Sequence, residues 1–265
     1  MRGRNSSTLR SLDFISPVLM TIFDFEINCQ QKIYSSKKIG FKTGFVIINK
    51  SLPDSYWNYA VIDDVLCIKN IEDIFNNFEI NPSLYKLSKV KLDTSINEGY
   101  IKDYQDAWMI LNSFTGRINK NVKIDEIGSR KEFINIYKVG RRNTGINPYE
   151  FSAYDLLLIY RQFAYSGKFK IKHFGAYMSE KLVGIATSIT KDSITSICDV
   201  TVLKEFRGIG VGQSIIGGII RSIPSNNIVY LVTEYDTHTE KWYERQGFET
   251  KFLGCCYTKR LDGKQ

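Results

Sequence analysis

From residue 193 to residue 202 the chain is rich in β-branched residues, a basic and glycine-rich turn follows, and an apolar segment at 212–223 is stopped by Pro224. This pattern predicts a strand, a tight turn and a helix. Residues 228–233 are a continuous apolar run with the length of a buried parallel strand, and 237–246 read as a short helix closed by Gly247. Upstream, 169–178 and 181–190 predict a hairpin across Ser179 and Glu180, with Gly184, Ile185 and Ala186 packing mid-strand. Residues 122–127 read as a strand and 129–141 as a helix with Phe133, Ile134, Ile136 and Tyr137 along one side. A loop at 143–149 and a helix at 153–165 complete this half.

The first half is less regular. Apolar positions between Leu9 and Ile27 suit an amphipathic helix interrupted near Pro17. Residues 44–49 and 59–66 predict strands, and 71–77 a helix capped by Asn70. A short strand at 84–87, a helix at 91–98 ending at Gly99, and a strand at 104–111 follow. The polar stretch 113–121, with Gly116, reads as a linker, which puts a domain boundary at 120/121: one domain at 1–120, a second at 121–265.

The turn before the apolar helix has the makings of an anion cradle. The first N–H groups of a helix lack intrahelical partners and carry the positive end of its dipole. Gly208, Gly210 and Gly212 let a phosphate approach without meeting a β-carbon, and Arg207 adds a positive charge suited to a pyrophosphate. The Walker loop and the dinucleotide fingerprint are both excluded, because Gln213 and Ser214 follow Gly212 where those motifs need lysine or a third glycine.

Arg207, Gly210 and Gly212 match Arg/Gln-x-x-Gly-x-Gly/Ala. Downstream, Trp242-Tyr243-Glu244-Arg245-Gln246-Gly247-Phe248 is similar to Phe/Leu-Tyr-Glu-Lys-x-Gly-Phe, in the same order and at the usual distance. With these two motifs in register, residues 122–261 resemble the GNAT superfamily of N-acetyltransferases. The resemblance implies an α/β (mixed α+β) acyl-CoA N-acyltransferase fold, with helices flanking a mixed central sheet whose parallel strands splay apart. The first half resembles the degenerate domain of tandem members, or else is an unrelated α+β domain. Nothing in it offers a glycine cradle; the resemblance implies a structural role, such as one wall of the acceptor cleft.

The same resemblance implies acetyl-CoA as co-substrate and transfer to a primary amine of a small molecule or peptide, by direct attack in a ternary complex. Longer acyl donors and a non-catalytic acyl-CoA sensor are the alternatives. Backbone groups near Cys198, Val200 and Val202 would hold the pantetheine arm, and Arg207, Gly208, Ile209, Gly210, Val211, Gly212 and Gln213 the pyrophosphate. Tyr243 stands where the family places the tyrosine that protonates the departing sulfur; the alternative is an aromatic packed between Trp242 and Phe248. Asp236 replaces the asparagine that often contacts the cofactor; a carboxylate there accepts hydrogen bonds but cannot donate them, and the alternative is a cap for the next helix. Bringing a lysine-like amine to its neutral form at pH 7 costs roughly 4 to 5 kcal/mol, so a base is needed. Asp199, Glu234 and His238 are the candidates.

Composition changes this picture little. In a chain of 265 residues, 43% hydrophobic and 13% aromatic, each half can bury a core. The formal net charge of +8 suits an acidic ligand, nucleic acid or a membrane surface equally, but the lysines are scattered and no specific nucleic-acid motif appears. Five cysteines without Cys-x-x-Cys spacing and two distant histidines argue against disulfides and a metal site. No apolar stretch is long enough to span a bilayer, and a cytoplasmic protein is expected; oligomeric state is open.

Overall fold

The computed structural model describes residues 16–41, 44–52, 54–62, 68–89, 99–142 and 153–259. The chain divides into two compact units that do not follow a single cut at 120/121. Residues up to Phe23, Ser36–Asp106 and those from Phe252 onward form the first; Asp24–Ser35 and Ala107–Lys251 form the second. Helix α1 (Pro17–Lys32) and strands β5 (Tyr100–Leu111) and β11 (Phe248–Lys259) each contribute residues to both.

In the first unit, β1 (Lys37–Phe41), β2 (Gly44–Ile48) and β3 (Tyr59–Ile62) are antiparallel neighbours. Strand β4 (Ser83–Ser88) then returns parallel to β3 through α2 (Ile68–Asn76), and β11 pairs antiparallel with β4. Helix α2 buries Ile68, Ile71 and Phe75, spaced to lie on one face, against Val46, Ile48, Leu84 and Tyr257. Three expectations change here. The helix starts at Ile68, so Asn70 lies inside it and does not cap it. Strand β1 is unanticipated, and β5 begins at Tyr100, whose buried ring brings its hydroxyl 3.2 Å from Glu72. The helix expected at 91–98 lies outside the described residues.

Helix α1 starts at Pro17, and the part of the expected helix before residue 16 lies outside the described residues. Proline suits the first helical position, where its missing N–H has no intrahelical acceptor to lose, and Ser16 Oγ accepts from Leu19 N at 3.4 Å. Among the described residues no helix is long and apolar enough to cross a membrane.

In the second unit, β6 (Lys123–Glu126), β7 (Lys170–Met178), β8 (Lys181–Lys191) and β9 (Ile194–Val202) form an antiparallel run, and β10 (Ile228–Glu234) joins parallel to β9. Alternation along β8 separates two layers. Ile185 packs into the cluster formed by α3 (Arg130–Arg142) and α4 (Ala153–Ala164), whereas a β-carbon at Gly184 would meet Val211 and Ile215 of α5 (Val211–Ser222). A β-carbon at Gly212 of α5 would in turn meet Trp242 of α6 (His238–Glu244), so α5 and α6 share the second layer.

The stretch 113–121 is a packed strap, not a flexible linker. Thr115 N bonds Gln246 O and Asn112 N bonds Gly247 O, while Phe114 and Ile118 seat against Gly217 of α5, where any side chain would collide with them. A run that is polar in composition is held by two apolar anchors and by backbone hydrogen bonds.

Candidate active site

The chemistry the sequence points to lies where β9 and β10 part. They pair at three rungs only, Ile194 with Ile228, Thr195 with Val229 and Ser196 with Tyr230. Beyond Ser196, β9 continues to Val202 and β10 to Glu234 with no further rung between the two. On its other edge, β9 pairs Cys198 with Thr187 and Thr201 with Ile185, so Asp199 and Val200 together oppose Ala186. This is a β-bulge, and Asp199 takes a left-handed φ of 57° to make it. A bulge and a splay together free backbone N–H and C=O groups in the half-buried segment 198–202, which is what a ligand threading between the strands needs.

Past β9, one 3-10 turn at Lys204–Phe206 leads to Gly208 and Gly210, with φ of 78° and 85°. Gly210 is the N-cap of α5 and supplies no side-chain cap. The first intrahelical bond is Ser214 N to Gly210 O, 3.0 Å, which leaves the N–H groups of Val211, Gly212 and Gln213 without intrahelical acceptors. A β-carbon at Gly208 would find nothing within 4 Å, so this side of the turn is open to a ligand. The residues present fit a pyrophosphate. Arg207 Nε donates to Val202 O at 3.0 Å, which closes the turn and holds the guanidinium near the strand end.

Residues 159–254 match the family profile described as an acetyltransferase (GNAT) domain. That stretch is a GNAT acetyltransferase domain. No curated protein matches the sequence. Among solved structures, a functionally unknown conserved protein from Staphylococcus epidermidis ATCC 12228 is similar at TM-score 0.63 and 18% identity, over 85% of this chain and 95% of that one. A GCN5-related N-acetyltransferase from Kribbella flavida is similar at TM-score 0.64 and 12% identity, over 91% and 95%. A tandem GNAT protein from the clavulanic acid biosynthesis pathway gives TM-score 0.55 and 11% identity over 84% and 80%. At these identities the likeness concerns the fold, and it extends over both halves of the chain. The fold is the mixed α/β fold of GNAT proteins, and the enzyme class is acyltransferase.

Around the GNAT cradle the strap supplies residues that composition hides. Asn119 N donates to Ser214 Oγ at 2.9 Å, Asn119 Nδ2 donates to Ile209 O at 2.7 Å, and Ser214 Oγ donates to Gly210 O at 2.9 Å. The glycine turn is therefore braced from outside, while Ile209 itself is exposed.

Tyr243 is buried on α6, its ring edge-on to Trp242 and Phe248 at 4.8 and 5.7 Å. The packing reading and the acid reading are compatible: none of the described residues hydrogen-bonds the hydroxyl, and it is not sealed from solvent. Burial pushes its pKa above the usual phenol value, with the Cys198 thiol as a lesser cause, so it stays protonated throughout the neutral range.

The other candidates separate. Asp199 turns toward α4, where Gln162 Nε2 donates to its Oδ2 at 3.0 Å and the Cys198 thiol lies at 3.5 Å. Burial raises the Cys198 thiol well above its ordinary value, and Asp199 adds to it. Glu234 is exposed at the end of β10, and His238 is exposed at the start of α6. Asp236 does not cap α6. Thr237 does, accepting from Glu240 N at 3.3 Å, while Glu240 reaches back to Asp236 N at 2.6 Å. Asp236 is exposed at a φ of 58° with Lys241 at 3.6 Å.

An acid and a tyrosine near this site come from elsewhere in the sequence. Glu26 on α1 accepts from Tyr230 Oη at 2.8 Å, at the last rung before the splay, and burial pushes its carboxyl up. Tyr34, just past α1, accepts from Gln162 Nε2 at 2.9 Å, and Arg161 donates to its carbonyl. No local motif marks these residues; they are more than 120 positions from the elements they reach.

Proposed function

We propose that the chain is an acetyl-CoA-dependent N-acetyltransferase that transfers an acetyl group to a primary amine of a small molecule or peptide within a ternary complex. The observation that carries this reading is the β9–β10 splay with a bulge at Asp199, running into an uncapped helix N-terminus across glycines of positive φ. The N–H groups from Gly208 to Gln213 and the Arg207 charge would hold the pyrophosphate; backbone of Cys198, Val200 and Val202 would hold the pantetheine arm. Asp236 is a further contact at the rim. Acetyl-CoA, when bound, supplies an activated thioester.

The chain's own residues handle the protons. Tyr243, protonated and without a hydrogen-bond acceptor among the described residues, is suited to donate a proton to the sulfur leaving group, a contribution of about 10- to 1000-fold. A proton must also leave the incoming ammonium. Asp199 is half-buried beside the splay and Glu234 stands exposed at the strand end, which favours Asp199 as acceptor. Residues 1–120 we read as a degenerate GNAT-like half, and 121–265 as the catalytic half. The support is an echo: β1, β2 and β3 run antiparallel and cross through α2 to a parallel β4, as β7, β8 and β9 cross through α5 to β10.

The test is a mass-shift screen of amines incubated with the full chain and acetyl-CoA. A primary amine gaining one acetyl group only with enzyme present supports the reading. Acetyl-CoA binding without transfer to any amine would instead fit the sensor, and transfer from longer acyl donors alone would revise the donor.

A further inference from the structure

Beside the splay, on the α4 side of the sheet, sits a cluster made almost entirely of hydrogen-bond acceptors. Gln162 is only 4% exposed, and its Nε2 donates to both Tyr34 Oη and Asp199 Oδ2. Those two bonds consume both amide hydrogens and fix the orientation of the amide, because the reversed amide would aim its oxygen at the carboxylate. The buried oxygen, Oε1, is then left over, and none of the described residues donates to it. Asp199 accepts at Oδ2, and no described residue donates to Oδ1. Glu26 likewise accepts from Tyr230 through Oε2, with no described donor at Oε1. Neither acid has an ion-pair partner among the described residues; Arg161, the neighbouring cation on α4, bonds the Tyr34 carbonyl. Tyr230, which Glu26 holds, pairs with Ser196, three residues before Asp199 on β9, so both carboxylates lie at the start of the splay.

Such a set selects its ligand by chemistry. Carboxylate and amide oxygens at this site can only accept, so the ligand must donate; two unpaired carboxylates favour a cation; and an ammonium carries three N–H donors. An arylamine, uncharged at neutral pH, leaves both acids uncompensated. The chain as a whole, at a formal net charge of +8, repels a cationic ligand, so attraction has to come from these local acids. A bound cation also counteracts the burial that pushes the Glu26 carboxyl up.

We propose that Asp199, Gln162 and Glu26 form the ammonium-binding end of the acceptor site, so that the acceptor is an aliphatic primary amine that arrives protonated. This rests on the acetyl-transfer reading above. Gln162 is a positioning residue, tying Asp199 to Tyr34 and adding its free oxygen.

The test uses the full chain with acetyl-CoA and two probes, 1,5-diaminopentane and the neutral arylamine aniline. Asparagine tolerates the left-handed φ at position 199, so Asp199→Asn removes the charge and keeps the bulge. Glu26→Gln is the second variant, in case the first fails to fold. The expected result is a KM for the diamine raised by about tenfold or more in either variant, the loss of a charge-assisted hydrogen bond. The KM for acetyl-CoA should not move, and calorimetric binding of the diamine to the chain without acetyl-CoA should weaken in parallel. Unchanged diamine KM in both variants, or aniline acetylated as well as the diamine, overturns the inference and leaves acetyl transfer standing. A wild-type chain that binds no acetyl-CoA overturns the acetyl-transfer reading, and this inference with it.

Discussion

At the scale of single residues, Tyr243 separates chemistry from packing. Its ring is held by Trp242 and Phe248, and its hydroxyl has no hydrogen-bond partner among the described residues, so Tyr243→Phe removes a proton donor and almost no structure. We expect kcat to fall about 10- to 1000-fold while acetyl-CoA affinity and melting temperature barely change, readable from steady-state kinetics, calorimetry and thermal unfolding. Equal turnover would leave Tyr243 a packing residue. His173 makes a prediction about pH. It is buried against Phe163, 3.8 Å between ring centres, and burial lowers its pKa to about 4 from 6.5. A depressed histidine pKa means that the unfolded chain binds the proton more readily. Stability is therefore whole above pH 6.5 and falls as pH drops from about 6.5 toward about 4, by up to about 3 kcal/mol. Thermal unfolding of His173→Gln and wild type across that window checks this: the variant's acid slope should be shallower, and identical slopes would clear His173 of the effect.

At the scale of elements, the glycine turn and the strap work as one device. Asn119→Ala removes the side-chain bonds to Ile209 O and from Asn121 N, at a cost of about 1 kcal/mol in a partly exposed position. The looser turn should also weaken acetyl-CoA binding severalfold, whereas Thr237→Ala, which uncaps α6, should cost a similar amount of stability without that loss. If both variants bind acetyl-CoA alike, the strap is not a brace. The elements that build the cleft are legible in the sequence because their punctuation is strong: glycines, Pro224 and β-branched runs bound β9, α5 and β10 to within a residue or so. The same punctuation is why the proposed chemistry falls on Arg207, Gly210 and Tyr243. The strap is not legible, since its two anchors, Phe114 and Ile118, are too few to set a period. Strand β11 is equally unmarked after Gly247, and the start of α1 at Pro17 is hard to see because a proline inside an apolar pattern reads as a break. Glu26, Tyr34 and Gln162 carry no motif at all; only the fold brings them to the splay.

At the scale of the whole molecule, the compact units cut across the chain's two halves. A fragment starting near Lys120 would discard 24–35 and 107–119, which belong to the same unit as the cradle, so only the full chain gives a fair test. The echo of β-α-β connections in the two halves raises the question of a second cofactor site, yet no glycine occurs between Val61 and Ile80, the stretch that connects β3 to β4 around α2. One acetyl-CoA per chain is therefore expected. The measurement that bears most directly on this account is calorimetric titration of acetyl-CoA into the full chain and into Gly210→Glu, with circular dichroism of both. Glutamate at Gly210 puts a side chain at a φ of 85° and a negative charge at the helix N-terminus. The account predicts one site per chain in the wild type and no detectable binding in a folded variant. Two sites in the wild type, or undiminished affinity in the variant, would contradict it.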